Sequence, residues 1–138
     1  EPLASPSMGT DAILERHLAA HPDVLEQLNL ARDAAWSTVD KRLLGLCEQR
    51  IREILGTADE TILADWYSST DLSPTEKACI AFTEEYMIDV ASLTDKAAAA
   101  VREHLGDQGT ADFVSALLVV EQRQRIALTW TTVFGANA

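Results

Sequence analysis

A chain of 138 residues, 47% of them apolar, has the length of one domain and can bury roughly two-thirds of its unfolded surface without disulfide or metal staples. Its 22 acids against 11 lysines and arginines give a net charge of -11 and a pI near 4.5, which repels phosphate backbones and anionic headgroups and excludes nucleic acid and membrane surfaces as partners. No run approaches the ~20 apolar residues that span a bilayer, and the start Glu1-Pro2-Leu3-Ala4-Ser5-Pro6-Ser7 lacks the basic and apolar regions of a signal peptide, so a cytoplasmic protein is expected.

Pro2, Pro6 and Gly9 mark an irregular leader over 1–9. Thr10 or Asp11 is then placed to cap a short helix carrying Ile13, Leu14, His17 and Leu18, and Pro22 opens a second, with Val24, Leu28, Ala31 and Ala35 on one face. A third helix is expected from about Val39 to Leu55, stopped by Gly56. Ala58 to Tyr67 reads as a shorter amphipathic helix through Ile62, Leu63 and Trp66, followed by the turn Ser68-Ser69-Thr70-Asp71. Ser73-Pro74-Thr75-Glu76 is a capping box with proline at the first helical position, starting a helix to about Ala91. Thr94-Asp95 starts another that closes at Gly106, and the last runs from about Ala111 to Phe134. No strict alternation marks a strand, so the expectation is an all-α, compact single-domain bundle of six to eight helices over 10–138.

Polar residues interrupt the apolar faces. At about 100° per residue, Leu43, Leu44, Cys47, Ile51 and Ile54 share a face of the third helix, and Arg50 falls between Leu46 and Leu43. On the Ser73 helix, Cys79, Ile80, Phe82, Tyr86 and Met87 form the stripe, with Thr83 at its centre and Glu84 and Asp89 at its edges. In the last helix Glu121 and Gln124 break the run Phe113 to Val133. A buried carboxylate and amide need partners, so Arg50, Thr83, Glu121 and Gln124 are expected to converge in one internal pocket, with Arg50 offsetting Glu121. A structural ion pair, exposure of the last helix, or a subunit boundary at Glu121-Gln122-Arg123-Gln124-Arg125 would account for the same pattern.

Cys47 and Cys79 sit in helical apolar patterns, as small buried hydrophobes do. His17, His21 and His104 are scattered without ligand spacing, so no metal site is expected. There is no Gly-rich phosphate loop, no Gly-x-Ser-x-Gly elbow and no Cys-x-x-Cys.

The segment Leu43-Leu44-x-Leu46-Cys47-Glu48-Gln49-Arg50-Ile51-x-x-Ile54-Leu55-Gly56, followed by Leu72-Ser73-Pro74-Thr75-Glu76-Lys77-Ala78 and Phe82-Thr83-Glu84-Glu85, resembles the carboxymuconolactone decarboxylase and alkyl hydroperoxidase D family over about Val39 to Phe134. The resemblance implies an alkyl hydroperoxidase D-like helical fold that assembles as a homo-oligomer, a dimer, trimer or hexamer. Redox members carry a Glu, then a Cys-x-x-Cys, then a His; the resemblance sets Gly45, Thr57, Glu60 and Ala64 at those places. Without two sulfurs, thiol peroxidase chemistry is rejected.

The decarboxylase branch needs no dithiol. That leads to a cofactor-independent acid-base enzyme of decarboxylase, lyase or isomerase type, acting on a small carboxylated organic molecule. Glu121 would exchange the proton and Arg50 would hold the substrate carboxylate, with Gln124, Thr83, Glu84, Tyr86 and Trp66 lining the site. The alternative is a non-catalytic, homo-oligomeric helical protein that binds a ligand or a partner.

Overall fold

The computed structural model describes residues 7–135. Five α-helices follow one another: α1 (Ser7–His17), α2 (Pro22–Thr38), α3 (Lys41–Leu55), α4 (Pro74–Ile88) and α5 (Asp95–Phe134). Single 3-10 turns occupy Trp66–Ser68 and Val90–Ser92, and no strand occurs among the described residues.

Helix ends fall where side chains can satisfy the backbone groups that a helix leaves open. Asp40 caps α3 by accepting from the Leu43 amide at 2.9 Å, and Gly56 closes the helix at φ 77°, a left-handed conformation that costs a residue with a Cβ about 1 kcal/mol. At α4 both halves of the capping box form: the Glu76 amide donates to Ser73 Oγ at 3.1 Å, and the Ser73 amide donates to Glu76 Oε1 at 2.9 Å. Thr94 caps α5 through the Ala97 amide.

Three boundaries differ from the sequence expectation. Residues 1–6 of the expected leader lie outside the described residues, but α1 already begins at Ser7, so Thr10 and Asp11 lie within it instead of capping it. Ala58 to Tyr67 is not a helix. The Glu53 carboxylate accepts from the amides of Ile62 and Leu63 at 2.8 and 3.0 Å, and Gln49 donates to the Glu60 carbonyl at 2.8 Å, so α3 side chains take the backbone groups that a helix would have paired. Finally, the two helices expected on either side of Gly106 are arms of α5, which bends there (φ 72°, ψ 175°) and resumes at once. A methyl at Gly109 would lie 3.1 Å from Leu105 Cβ, so a larger residue there requires Leu105 to give way by a few tenths of an ångström.

α5 packs against all four other helices and is the axis of the fold. Leu44, Cys47 and Ile51 of α3, Cys79 and Phe82 of α4, and Phe113, Leu117 and Val120 of α5 form one buried core. Phe82 and Phe113 meet edge-on with ring centres 5.9 Å apart. Each such fully buried large side chain contributes ~2 kcal/mol of transfer free energy. A smaller cluster of Leu46, Leu63 and Ile80, with Trp66 and Leu72 packed against it, pins the Ala58–Tyr67 segment to α3 and α4. No helix among the described residues is long and apolar enough to cross a membrane.

Candidate functional site

The seam of α5 that faces the core runs Phe113, Leu117, Val120, Gln124, Ala127, in steps of four, three, four and three residues. Gln124 is therefore central, and it is only 4% exposed. Glu121 is the next residue after Val120, about 100° around the helix. It lies on the flank, ion-paired with Arg125 one turn on, whose side chain is half exposed. The expected meeting of Glu121 with Arg50 does not occur: Glu121 pairs with Arg125 on its own helix, and Arg50 of α3 pairs with Glu53 and Glu84.

The polar residues instead form three groups. The first surrounds Glu48, a residue of α3 that is 3% exposed. Gln124 donates from Nε2 to Glu48 Oε2 at 3.0 Å, and Thr10 of α1 donates its hydroxyl to Gln124 Oε1 at 3.3 Å. Beside them Arg123, 4% exposed, donates to Asp11 Oδ1 of α1 and to the Leu28 carbonyl and Asn29 Oδ1 of α2. α1, α2, α3 and α5 thus meet around a polar centre, and Glu48 Oε1 is buried there without a hydrogen-bond partner. Burial raises the Glu48 carboxyl to about 7 against the opposing pull of the Gln124 hydrogen bond and of Arg52 and Arg123; Asp11 raises it further. Such a group is half protonated near neutral pH, which suits it to give or accept a proton.

The second group is the expected Arg50, Glu84 and Trp66, joined by Glu53. Arg50 Nε donates to Glu84 Oε2 at 2.7 Å and its Nη1 to Glu53 Oε1 at 2.9 Å, while Trp66 Nε1 donates to the same Glu84 oxygen at 2.9 Å. Arg50 is held between two carboxylates, so the group acts as a clamp on the segment after α3 and the guanidinium is already engaged where a substrate carboxylate would bind.

The third group lies on the outer side of α5. Tyr86 of α4 is half-buried beside Glu121 and Arg125, its phenol raised by burial and then by the Glu121 charge. Thr83 joins none of the three. Its hydroxyl donates to the Cys79 carbonyl one turn back at 2.8 Å, in the core beside Cys47. Both thiols are buried and pushed up to about 12 by burial, which removes them as nucleophiles.

Sequence reading named Gln124, Arg50, Glu84 and Trp66 as inward, and the structure brings the last three together. It missed Glu48 and Arg123. Both were legible: Glu48 is four residues after Leu44 and three before Ile51, and Arg123 is seven after Ala116 and four before Ala127, all on buried faces. Among the described residues no group of three or more His, Cys, Asp or Glu stands close enough to hold a metal ion.

A cleft of about 520 Å³ opens on the outer face of α5, lined by Leu118, Glu121, Arg125, Trp130, Val133 and Phe134 among others; Glu48 and Gln124 do not line it. His17 of α1 stacks on Trp130 at 5.2 Å beside it. Comparison of the chain with protein-family models, with curated proteins and with solved structures gives no match.

Proposed function

We propose that this chain is a cytoplasmic, cofactor-independent acid-base enzyme of decarboxylase, lyase or isomerase type, with Glu48 as its proton-exchanging group and a small carboxylated organic molecule as its substrate. One observation carries the reading: a carboxyl group is buried between α3 and α5 with one oxygen held by Gln124 and the other unpartnered. An unsatisfied buried carboxyl oxygen costs about 1–3 kcal/mol, a cost that selection retains at sites of chemistry.

The sequence resemblance to carboxymuconolactone decarboxylases and alkyl hydroperoxidase D proteins supports the same assignment. The family's relay Glu falls at Gly45 in this chain, and Glu48 is one helical turn further along the same buried side of α3. In this reading the fold is alkyl hydroperoxidase D-like, the proton-relay carboxyl has moved by one turn, and the dithiol is gone. Glu48 replaces Glu121 in the proton-exchanging role, and Arg50 is a positioning residue of the clamp.

The test follows proton exchange directly. Small carboxylated lactones and 2-oxo acids are incubated with the protein in D2O, and NMR follows deuterium entry next to the carbonyl and loss of the carboxyl group. The wild type should accelerate one of these, and Glu48→Gln should slow it by at least ~10²-fold with the fold unchanged. No acceleration across the set, together with a Glu48→Gln chain that is more stable than the wild type, overturns the assignment.

The second reading, a non-catalytic helical ligand-binding or interaction protein, draws on the cleft of about 520 Å³, which stands apart from Glu48 on the outer face of α5.

A further inference from the structure

One carboxylate of α1 is gripped by arginines from two other helices. Arg123 Nη2 of α5 donates to Asp11 Oδ1, and Arg32 Nη1 of α2 donates to Asp11 Oδ2 at 3.2 Å, so both oxygens of Asp11 are taken. The remaining bonds of Arg123, to the Leu28 carbonyl at 3.1 Å and to Asn29 Oδ1 at 3.3 Å, are to neutral acceptors. They aim the guanidinium at Asp11 and bring it no counter-charge. Arg32 also donates from Nε to Asp33, at the solvent edge. Two guanidinium groups converging on one carboxylate make a receptor for a carboxylate, and here the chain's own side chain fills it.

This receptor adjoins the buried acid. Thr10, the residue before Asp11, donates to Gln124 Oε1, and Gln124 donates to Glu48. Exposure falls from 26% at the Asp11 side chain to 5% at that of Arg123 and 3% at Glu48, so Asp11 stands at the wet end of the polar centre. A carboxylate that took its place would set the rest of its molecule where Thr10 now stands, against Gln124 and Glu48.

The first turn of α1 is the part able to give way. It contains Gly9, which is exposed and weakens a helix interior. The apolar anchors Leu14 and Leu18, 0% and 8% exposed, lie further on, so the turn over 7–11 can open while the rest of α1 stays seated.

We propose that Arg123 and Arg32 form the carboxylate-binding subsite next to Glu48, and that Asp11 occupies it as an internal stand-in which a carboxylated substrate displaces together with the first turn of α1. The proposal deepens the acid-base reading and rests on it for the chemistry at Glu48, but occupancy of the subsite is measured without turnover.

Hydrogen exchange of the wild-type chain is followed at the amides of Asp11, Ala12 and Ile13, whose bonds close the first turn of α1. Pyruvate should speed these amides about tenfold or more, with saturation, while chloride at equal ionic strength should not. Isothermal titration should show that Asp11→Ala binds pyruvate at least ~10-fold more tightly than the wild type, because the tethered competitor is gone, and that adding Arg32→Ala abolishes the gain. Exchange that pyruvate leaves unchanged or that chloride matches, an Asp11→Ala chain that binds no more tightly, or a gain that survives Arg32→Ala overturns the proposal. Displacement of Asp11 by pyruvate in a protein that accelerates no proton exchange supports the subsite and removes the acid-base reading alone.

Discussion

Gln124 on α5 donates a hydrogen bond to Glu48 on α3 at 3.0 Å, with both side chains almost wholly out of solvent. The amide satisfies one carboxyl oxygen and leaves the other unpartnered, so the protonation state of Glu48 is coupled to the packing of α1, α3 and α5.

That coupling sets a pH dependence. The Glu48 carboxyl is raised from 4.5 to about 7 in the folded chain, so its contribution to stability is fully present below pH 4.5 and is lost as pH rises through 7. The groups that face it are the Gln124 amide, the Arg52 and Arg123 guanidinium groups and the Asp11 carboxylate. Thermal melts should therefore show a loss of roughly 3 kcal/mol between pH 4.5 and 8, and Glu48→Gln should flatten that part of the profile. A wild-type profile that rises or stays level over the window contradicts the assignment of Glu48 as a raised, buried acid.

Glu53→Ala should loosen the segment between α3 and α4. The Glu53 side chain is 1% exposed and binds the amides of Ile62 and Leu63 as well as Gln49 and Arg50, so its removal leaves several donors unmet. We expect a loss of about 3 kcal/mol, a red shift in Trp66 emission and faster proteolysis between Thr57 and Trp66. Unchanged melting and emission would refute the clamp.

Asp11→Ala removes the only acid that pairs directly with Arg123 among the described contacts. Arg123 would keep Leu28 and Asn29 as acceptors but lose its counter-charge in a nearly dry site. Because Asp11 itself is about a quarter exposed, the expected cost is about 2 kcal/mol, below that of breaking a fully buried pair. Hydrogen exchange should speed up over α1 more than over α4.

Neither cysteine should label in the native protein. Cys47 and Cys79 are both fully buried, and burial pushes each thiol up to about 12. A thiol reagent at pH 8 should react only at the rate of global unfolding, measured independently by denaturant. Rapid labelling of either residue would reopen sulfur chemistry for this fold.

Gly56→Ala tests the end of α3. The residue sits at φ 77° with open space where a Cβ would go, so strain alone should cost about 1 kcal/mol, read from denaturant midpoints at constant slope.

The sequence by itself determined the helical class and most helix ends, because those depend on neighbours within a turn: Ser73 with Glu76, Asp40 with Leu43, Thr94 with Ala97, and Gly56 free of a side chain. It also determined that polar groups break the core faces, since a period of 3.6 residues assigns each side chain to one side of its helix. Only the tertiary structure decided which of those groups meet. Ala58 to Tyr67 lost its helix to the side chains of Gln49 and Glu53, Arg50 found Glu84, and Glu121 found its own neighbour Arg125. The buried carboxyl therefore came from Glu48, across from Gln124. Periodicity sets the direction of a side chain from its own helix axis, but the partner it finds depends on how helices far apart in the chain cross and shift along one another, which no local pattern encodes.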